Sequence, residues 1–330
     1  MTCSTPLRAG LVLACVAATA LMLIDVRIAA AQDAAPAPLK ANLRPLFEAG
    51  RVSKYSTWSS RKRTITEAAR GKSQTAESIF EVNAEVTWKV TRVNPDGSAQ
   101  CTMTCDWISA TSKRTGRPDI NSDTRKGRGD SEVMDKMLAG MVAVPLTVTV
   151  LADGSVTKVD GVDAIQRKTG DEIPAPDEED FKETASDLAV IAGGAAAAEL
   201  RSAWKQRNDW NYSLELPGVD ASLRYDTAYT LGSIEEIAGI RVATVTGQST
   251  LGLHVDPASI PNIEGVTVNI RLVKGEATTQ VMLDLSRGEA VGRNSTQSMT
   301  VETAINTPLG AATQTVVEFS QSQVLRVAEK

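Results

Sequence analysis

Between Phe80 and Trp107 apolar residues recur at every second position, and this period of two restricts the chain to extended strands with one dry face. Phe80, Val82, Ala84, Val86, Trp88 and Val90 alternate with Glu81, Asn83, Glu85, Thr87, Lys89 and Thr91. Successive side chains on a strand point to opposite faces, so the first set turns inward and the second toward water. The run ends at Asn94-Pro95-Asp96-Gly97, which supplies the backbone angles of a tight turn. Ala99, Cys101, Met103, Cys105 and Trp107 then alternate with Gln100, Thr102, Thr104 and Asp106, completing a hairpin.

Shorter runs repeat the pattern. Val144, Leu146, Val148 and Val150 lead through Ala152-Asp153-Gly154-Ser155 to a return strand at Val156 and Val159. Further strands are expected around Leu223–Leu231, Leu251–Val255, Val266–Leu272, Val281–Leu285, Met299–Ile305 and Thr315–Val327. Alternating strands joined by short turns imply antiparallel sheet with one covered face. Two segments follow a helical period instead. Ser131 to Met141 spaces Val133, Met134, Met137, Leu138 and Met141 for a short helix, and Asp177 to Trp204 opens with four acids suited to a helix N-terminus. Gly193-Gly194 is expected to kink or divide this second helix.

The expected organisation is therefore a signal segment (1–31), a flexible Ala/Pro leader (32–42), a β-rich half (43–170) with its helix at 131–141, a linker and helix (171–204), and a second β-rich half (205–330). The fold class is α+β, mainly antiparallel β, with helices linking and covering the halves. Half-barrel sheets of the lipoprotein-carrier kind are one form such long one-sided strands allow.

Export is read from the N-terminus. Arg8 precedes an apolar stretch from Ala9 to Ile24, and Ala29-Ala30-Ala31 forms a small-residue cleavage site. The stretch is shorter than the roughly 20 residues of a membrane-spanning helix, and Asp25 and Arg27 follow it. A stable transmembrane anchor is not expected. Lipidation at Cys15, within Val12-Leu13-Ala14-Cys15, is the lesser alternative, because Leu13 occupies a position that usually holds a small residue. The whole chain has 35 basic and 40 acidic residues. Removal of Arg8, Arg27 and Asp25 leaves 33 and 39, a net charge of −6. Such a chain has no general attraction for nucleic acid, which leaves a lipid or an envelope protein as the partners to consider.

Residues Val148 to Gly161 (Val-Thr-Val-Leu-Ala-Asp-Gly-Ser-Val-Thr-Lys-Val-Asp-Gly) resemble a family of exported bacterial cell-envelope proteins of unknown function. The opening Leu46-Phe47-Glu48-Ala49-Gly50-Arg51-Val52-Ser53-Lys54-Tyr55 shares the likeness, as do Leu216-Pro217-Gly218 through Tyr229-Thr230-Leu231 and Gly239-Ile240-Arg241-Val242-Ala243. Asn208-Asp209-Trp210 departs from the Gly-Asp or Gly-Glu pair that often precedes a Trp in that family. The resemblance implies a β-rich fold and an envelope location, and no chemistry.

No catalytic or metal-binding constellation is legible. His254 is the only histidine, and no Gly-x-Ser-x-Gly elbow accompanies it. Cys101 and Cys105 lie four residues apart on one strand, about 13 Å, which is beyond disulfide reach. The acids Asp177 to Asp180 suit a solvated helix start better than a calcium loop. With 4% aromatic residues, a sugar-stacking cleft is poorly supplied. No cofactor is expected. The leading expectation is a non-catalytic binding or structural protein, with carriage of a lipid or other apolar ligand as its sharpest form. A carboxylate-dependent envelope hydrolase is the alternative. Phe80, Val86, Trp88, Met103 and Trp107 are the candidate pocket lining, packed core being their default role.

Overall fold

The computed structural model describes residues 40–327, apart from 171–172, 174–175, 190–197, 213, 215–217, 261–263 and 309. The signal segment, most of the leader and the Gly193-Gly194 pair lie outside the described residues. Among the described residues fourteen strands and three α-helices follow in chain order: β1 (Lys40–Ala41), β2 (Val52–Ala69), β3 (Lys72–Val93), β4 (Ala99–Arg114), β5 (Ile120–Asp123), α1 (Glu132–Met141), β6 (Pro145–Val150), β7 (Val156–Asp160), α2 (Val162–Thr169), α3 (Glu178–Ala189), β8 (Ala198–Glu199), β9 (Ala203–Asn211), β10 (Ala221–Ile237), β11 (Ile240–Val255), β12 (Thr267–Asp284), β13 (Glu289–Thr307) and β14 (Gly310–Arg326).

The two β-rich halves form one twelve-stranded antiparallel sheet in the order β7-β6-β4-β3-β2-β14-β13-β12-β11-β10-β9, with β5 on β4. Their seam is the pairing of the last long strand with the first, from Arg326 opposite Tyr55 to Ala312 opposite Ala69. The sheet bends strongly. β6 and β13 are five strand spacings apart, about 24 Å in a flat sheet, yet the single helix α3 packs on β6, β7 and β13. Its apolar side (Phe181, Ala185, Leu188) joins the core of Val86, Trp88, Val148 and Ile165. A second core of Leu43, Leu231, Val245 and Leu283 serves the other half.

The Phe80–Trp107 hairpin forms as its alternation requires, with Gly97 at φ 82° in the turn. Its last position departs. Val86 pairs with Cys105 but Glu85 with Trp107, so Asp106 is an extra residue in a β-bulge. Beyond the bulge Ile108 and Ala110 take over the buried face. Trp107 passes to the wet face, where the Arg125 guanidinium lies 3.7 Å from its ring centre.

Helix α1 starts one residue after the expected Ser131, whose hydroxyl accepts from the Met134 amide as an N-cap. The helix expected from Asp177 to Trp204 ends within the described residues at Ala189, and Ala203–Asn211 is strand. Trp204, Gln206, Asn208 and Trp210 alternate with Lys205, Arg207 and Asp209, and Trp204 pairs with Tyr229 and Trp210 with Leu223. Cross-strand aromatic and aliphatic pairing holds Trp204 and Trp210 in a strand, beyond the end of the helical period. α2 falls where only the end of the first half was expected. Its Val162 and Ile165 pack into the first core, with Ile165 buried.

Candidate functional site

Between α3 and the concave face of the sheet lies a cleft of about 930 Å³, reached by residues of both halves. Strand register shows how this face is composed. Directly opposed residues share a face, so Ser59, Ser322, Ser295 and Thr279 form a row running across β2, β14, β13 and β12. The row continues through Gly247 to Tyr229 and Trp204. Beside it runs Arg61, Ser320, Gln297, Ala277, Ser249, Thr227 and Gln206. These two rows make a belt of hydroxyl and amide groups across the middle of the sheet. Apolar tiers flank it, with Val281, Val245 and Leu231 on one side and Met299 and Leu251 on the other.

The belt is internally ordered. Thr279 and Ser295 hydroxyls are 2.8 Å apart, and those of Thr227 and Ser249 2.7 Å. The Tyr225 hydroxyl donates to Gln297 Oε1 at 2.7 Å, from β10 to β13, which only a strongly curved sheet permits. Gly247 has a steric reason. A Cβ there would stand 2.7 Å from the Tyr229 ring and 2.8 Å from Thr279 Cγ2, so the bare backbone is the bed on which Tyr229 lies, stacked with Trp204 at 5.8 Å. Gly247→Ala should push Tyr229 off the sheet and cost about 1–3 kcal/mol, as overpacking does. A reduced near-ultraviolet circular dichroism signal and a lower melting temperature would report it. An unchanged aromatic signal would contradict this packing.

Charges enter from both walls. Glu318, 3% exposed, is held by Arg63 at 3.0 Å and Arg61 at 3.5 Å. From the helix, Asp187 pairs with Arg293 at 2.8 Å. Asp180 and Asp177 cap the start of α3 reciprocally, each amide donating to the other's carboxylate at 3.0 Å. The acid run is thus a helix cap. Glu183 differs. It lies on the lining of the cleft, open to water, and none of the described residues hydrogen-bonds or ion-pairs with it. Burial, with Asp187 beside it, pushes its carboxyl above the ordinary range, against the pull of Arg61 and Arg293.

Of the five lining residues expected from sequence, Phe80 opens onto the cleft, whereas Val86 and Met103 border it from within the packed core, at 5% and 4% exposed. Phe80 is 38% exposed and forms the open part of an apolar wall with Val82, Ile108 and Met141. Trp88, 6% exposed, is core, and Trp107 stands on the opposite face because of the bulge. Sequence reasoning missed Arg61, Glu183, Tyr225, Arg293, Gln297 and the hydroxyl belt. The available signal was negative: long Ser/Thr/Gln-rich stretches without a dry face, bounded by turns. His254 sits exposed near the end of β11, opposite Ser222, and is not part of the lining. Cys101 and Cys105 are free thiols that burial pushes up to about 12. Among the described residues no helix is long and apolar enough to cross a membrane.

The model of a "Family of unknown function (DUF6263)" matches residues 96–194, from the turn before β4 to just past α3. No curated protein matches the sequence. Among solved structures, Pseudomonas aeruginosa OpdQ is similar at 10% identity and a TM-score of 0.21, over 83% of this chain and 99% of that one. Salmonella typhi OmpF in complex with daunomycin gives 10% and 0.21 over 83% and 98%. A DUF1329 family protein from Desulfovibrio piger gives 8% and 0.15 over 79% and 83%.

Proposed function

We propose that this is an exported, non-catalytic envelope protein that carries an amphiphilic molecule in the cleft between α3 and the sheet. The observation behind this reading is the two-sided lining. Phe80, Val82, Ile108 and Met141 offer an apolar wall, while Ser295, Gln297, Ser320 and their neighbours offer hydrogen-bonding groups. A site of this size with an apolar wall and a few convergent polar groups suits a ligand with both characters. Export is supported by Arg8, the Ala9–Ile24 stretch and Ala29-Ala30-Ala31.

Native mass spectrometry of the protein purified without detergent from its own host tests both parts. The expected result is a chain beginning at Gln32 with a bound amphiphile. A chain bearing lipid on Cys15 would replace free export by anchoring, and an unliganded cleft in every preparation would count against carriage. The hydrolase reading has one observation in its favour, the raised carboxyl of Glu183. Glu183 and Asp187, however, lie one turn apart on α3, whereas glycoside cleavage needs two carboxyls flanking the scissile bond. Of the other acids, Asp153 is used in its turn, Asp180 caps the helix, and Glu318 is held by Arg61 and Arg63. Binding is the better fit.

A further inference from the structure

We propose that the cleft selects an amphiphile with a cationic, amine-bearing head group, which Glu183 holds while the tail lies on the Phe80–Met141 wall. The inference rests on the carrier reading above and specifies its ligand. Its first support is a charge census of the lining, where Arg61 and Arg293 face Asp153, Asp180, Glu183 and Asp187. Both arginines are already engaged, Arg61 by Glu318 and Arg293 by Asp187. An anionic head group would have to share an arginine with its carboxylate, in a lining that carries four acids against two arginines. A cation has a vacant partner, because Glu183 makes no hydrogen bond or ion pair with any described residue.

The second support is position. Glu183 projects from the middle of α3, whose apolar side (Phe181, Ala185, Leu188) packs into the first core while Asp187 is tied to Arg293 on β13. Its carboxylate therefore lies where the apolar wall meets the belt of Gln297, Ser320 and Tyr225, all of which can hydrogen-bond further N–H groups. A charge-assisted hydrogen bond to an ammonium group is roughly twice as strong as a neutral one.

The third support is electrostatic and gives the pH dependence its sign. The groups facing Glu183 are Asp180 and Asp187 on its own helix, Arg61 from β2 and Arg293 from β13, with Tyr225 and Glu318 further along the sheet. Burial and the neighbouring acids raise its carboxyl, so protonation begins above the ordinary glutamate range. A bound ammonium group favours the ionised form. Amine affinity should accordingly be full well above that range and decline as pH falls through the raised value.

Isothermal titration of the purified protein with dodecylamine, dodecanoate and dodecyl maltoside, each below its micellar concentration at about pH 8, tests the assignment. Dodecylamine should bind about tenfold or more tightly than the other two, 1.4 kcal/mol for each factor of ten. Glu183→Gln, nearly isosteric, should remove that preference while leaving dodecyl maltoside binding in place. Glu81→Gln, on the opposite face of β3, should leave it intact. Equal or tighter binding of dodecanoate, or a preference that survives Glu183→Gln, would overturn the amine assignment alone. If none of the three ligands binds, the carrier reading falls and the assignment falls with it.

Discussion

Asp284→Ala should lower the melting temperature by roughly 10 °C, the largest loss of stability expected from a single polar substitution in this protein. Asp284 has no accessible surface and closes the turn between β12 and β13. Its carboxylate accepts from the Ser286 amide at 3.0 Å, the Ser286 hydroxyl at 2.6 Å and the Arg287 amide at 3.3 Å. It also receives Arg326 at 3.0 Å, near the end of β14. Arg326 reaches Glu289 at 3.3 Å, and Glu289 accepts the Ser53 hydroxyl of β2 at 3.1 Å. One carboxylate thus ties the β12–β13 turn to the seam where the two halves meet. Removing one partner of a buried pair costs about 3–5 kcal/mol, because the other is left without compensation. Domains near this size lose roughly 2–4 °C per kcal/mol.

The same residue sets a pH dependence. Burial pushes the Asp284 carboxyl upward, but hydrogen bonds from Ser286 and Arg326 outweigh it and hold the group below the usual aspartate range. A depressed folded value contributes stability above the unfolded pKa of about 3.9, and that contribution is lost as pH falls through the folded value. Acid unfolding of Asp284→Ala should therefore be shallower than that of the natural chain below about pH 4. Asp284→Asn, which keeps acceptors for the turn but loses the charge, should fall between the two. Equal thermal stability of all three would show that the seam is held elsewhere.

Ser320→Trp should abolish ligand uptake, weakening binding by about a hundredfold or more, about 2.7 kcal/mol. Ser320 lies at the centre of the belt, opposite Arg61 and Gln297, and its side chain points into the cleft. An indole there occupies the space in which the polar end of an amphiphile would lie. The position borders open volume, so folding should be little affected. Titration with dodecylamine reads the loss, and the melting temperature checks the fold. Undiminished binding in a folded Ser320→Trp protein would place the ligand outside the cleft. The variant and Glu183→Gln differ in consequence, since the first excludes every ligand and the second removes only the choice among them.

The sequence by itself determined the strands with a dry face. Phe80 to Val90, Ala99 to Cys105 and Val144 to Val150 are legible because burial on one side only imprints a period of two. It also determined Ser131 as a helix start and kept Cys101 and Cys105 apart. Tertiary structure alone decided the rest. β2 carries Thr57, Ser59, Arg61 and Arg63 on its inner face, because that face meets a polar cleft rather than a core, and no apolar alternation remains to be read. The bulge at Asp106 reverses Trp107 without altering composition, since a single unpaired residue shifts every later side chain to the other face. Joining of the halves depends on Tyr55 to Ala69 meeting Ala312 to Arg326, partners more than two hundred residues apart. The cleft depends on the same closure. Glu183 meets the cleft only when α3 is held between β6, β7 and β13, by the curvature of a sheet that no single strand encodes.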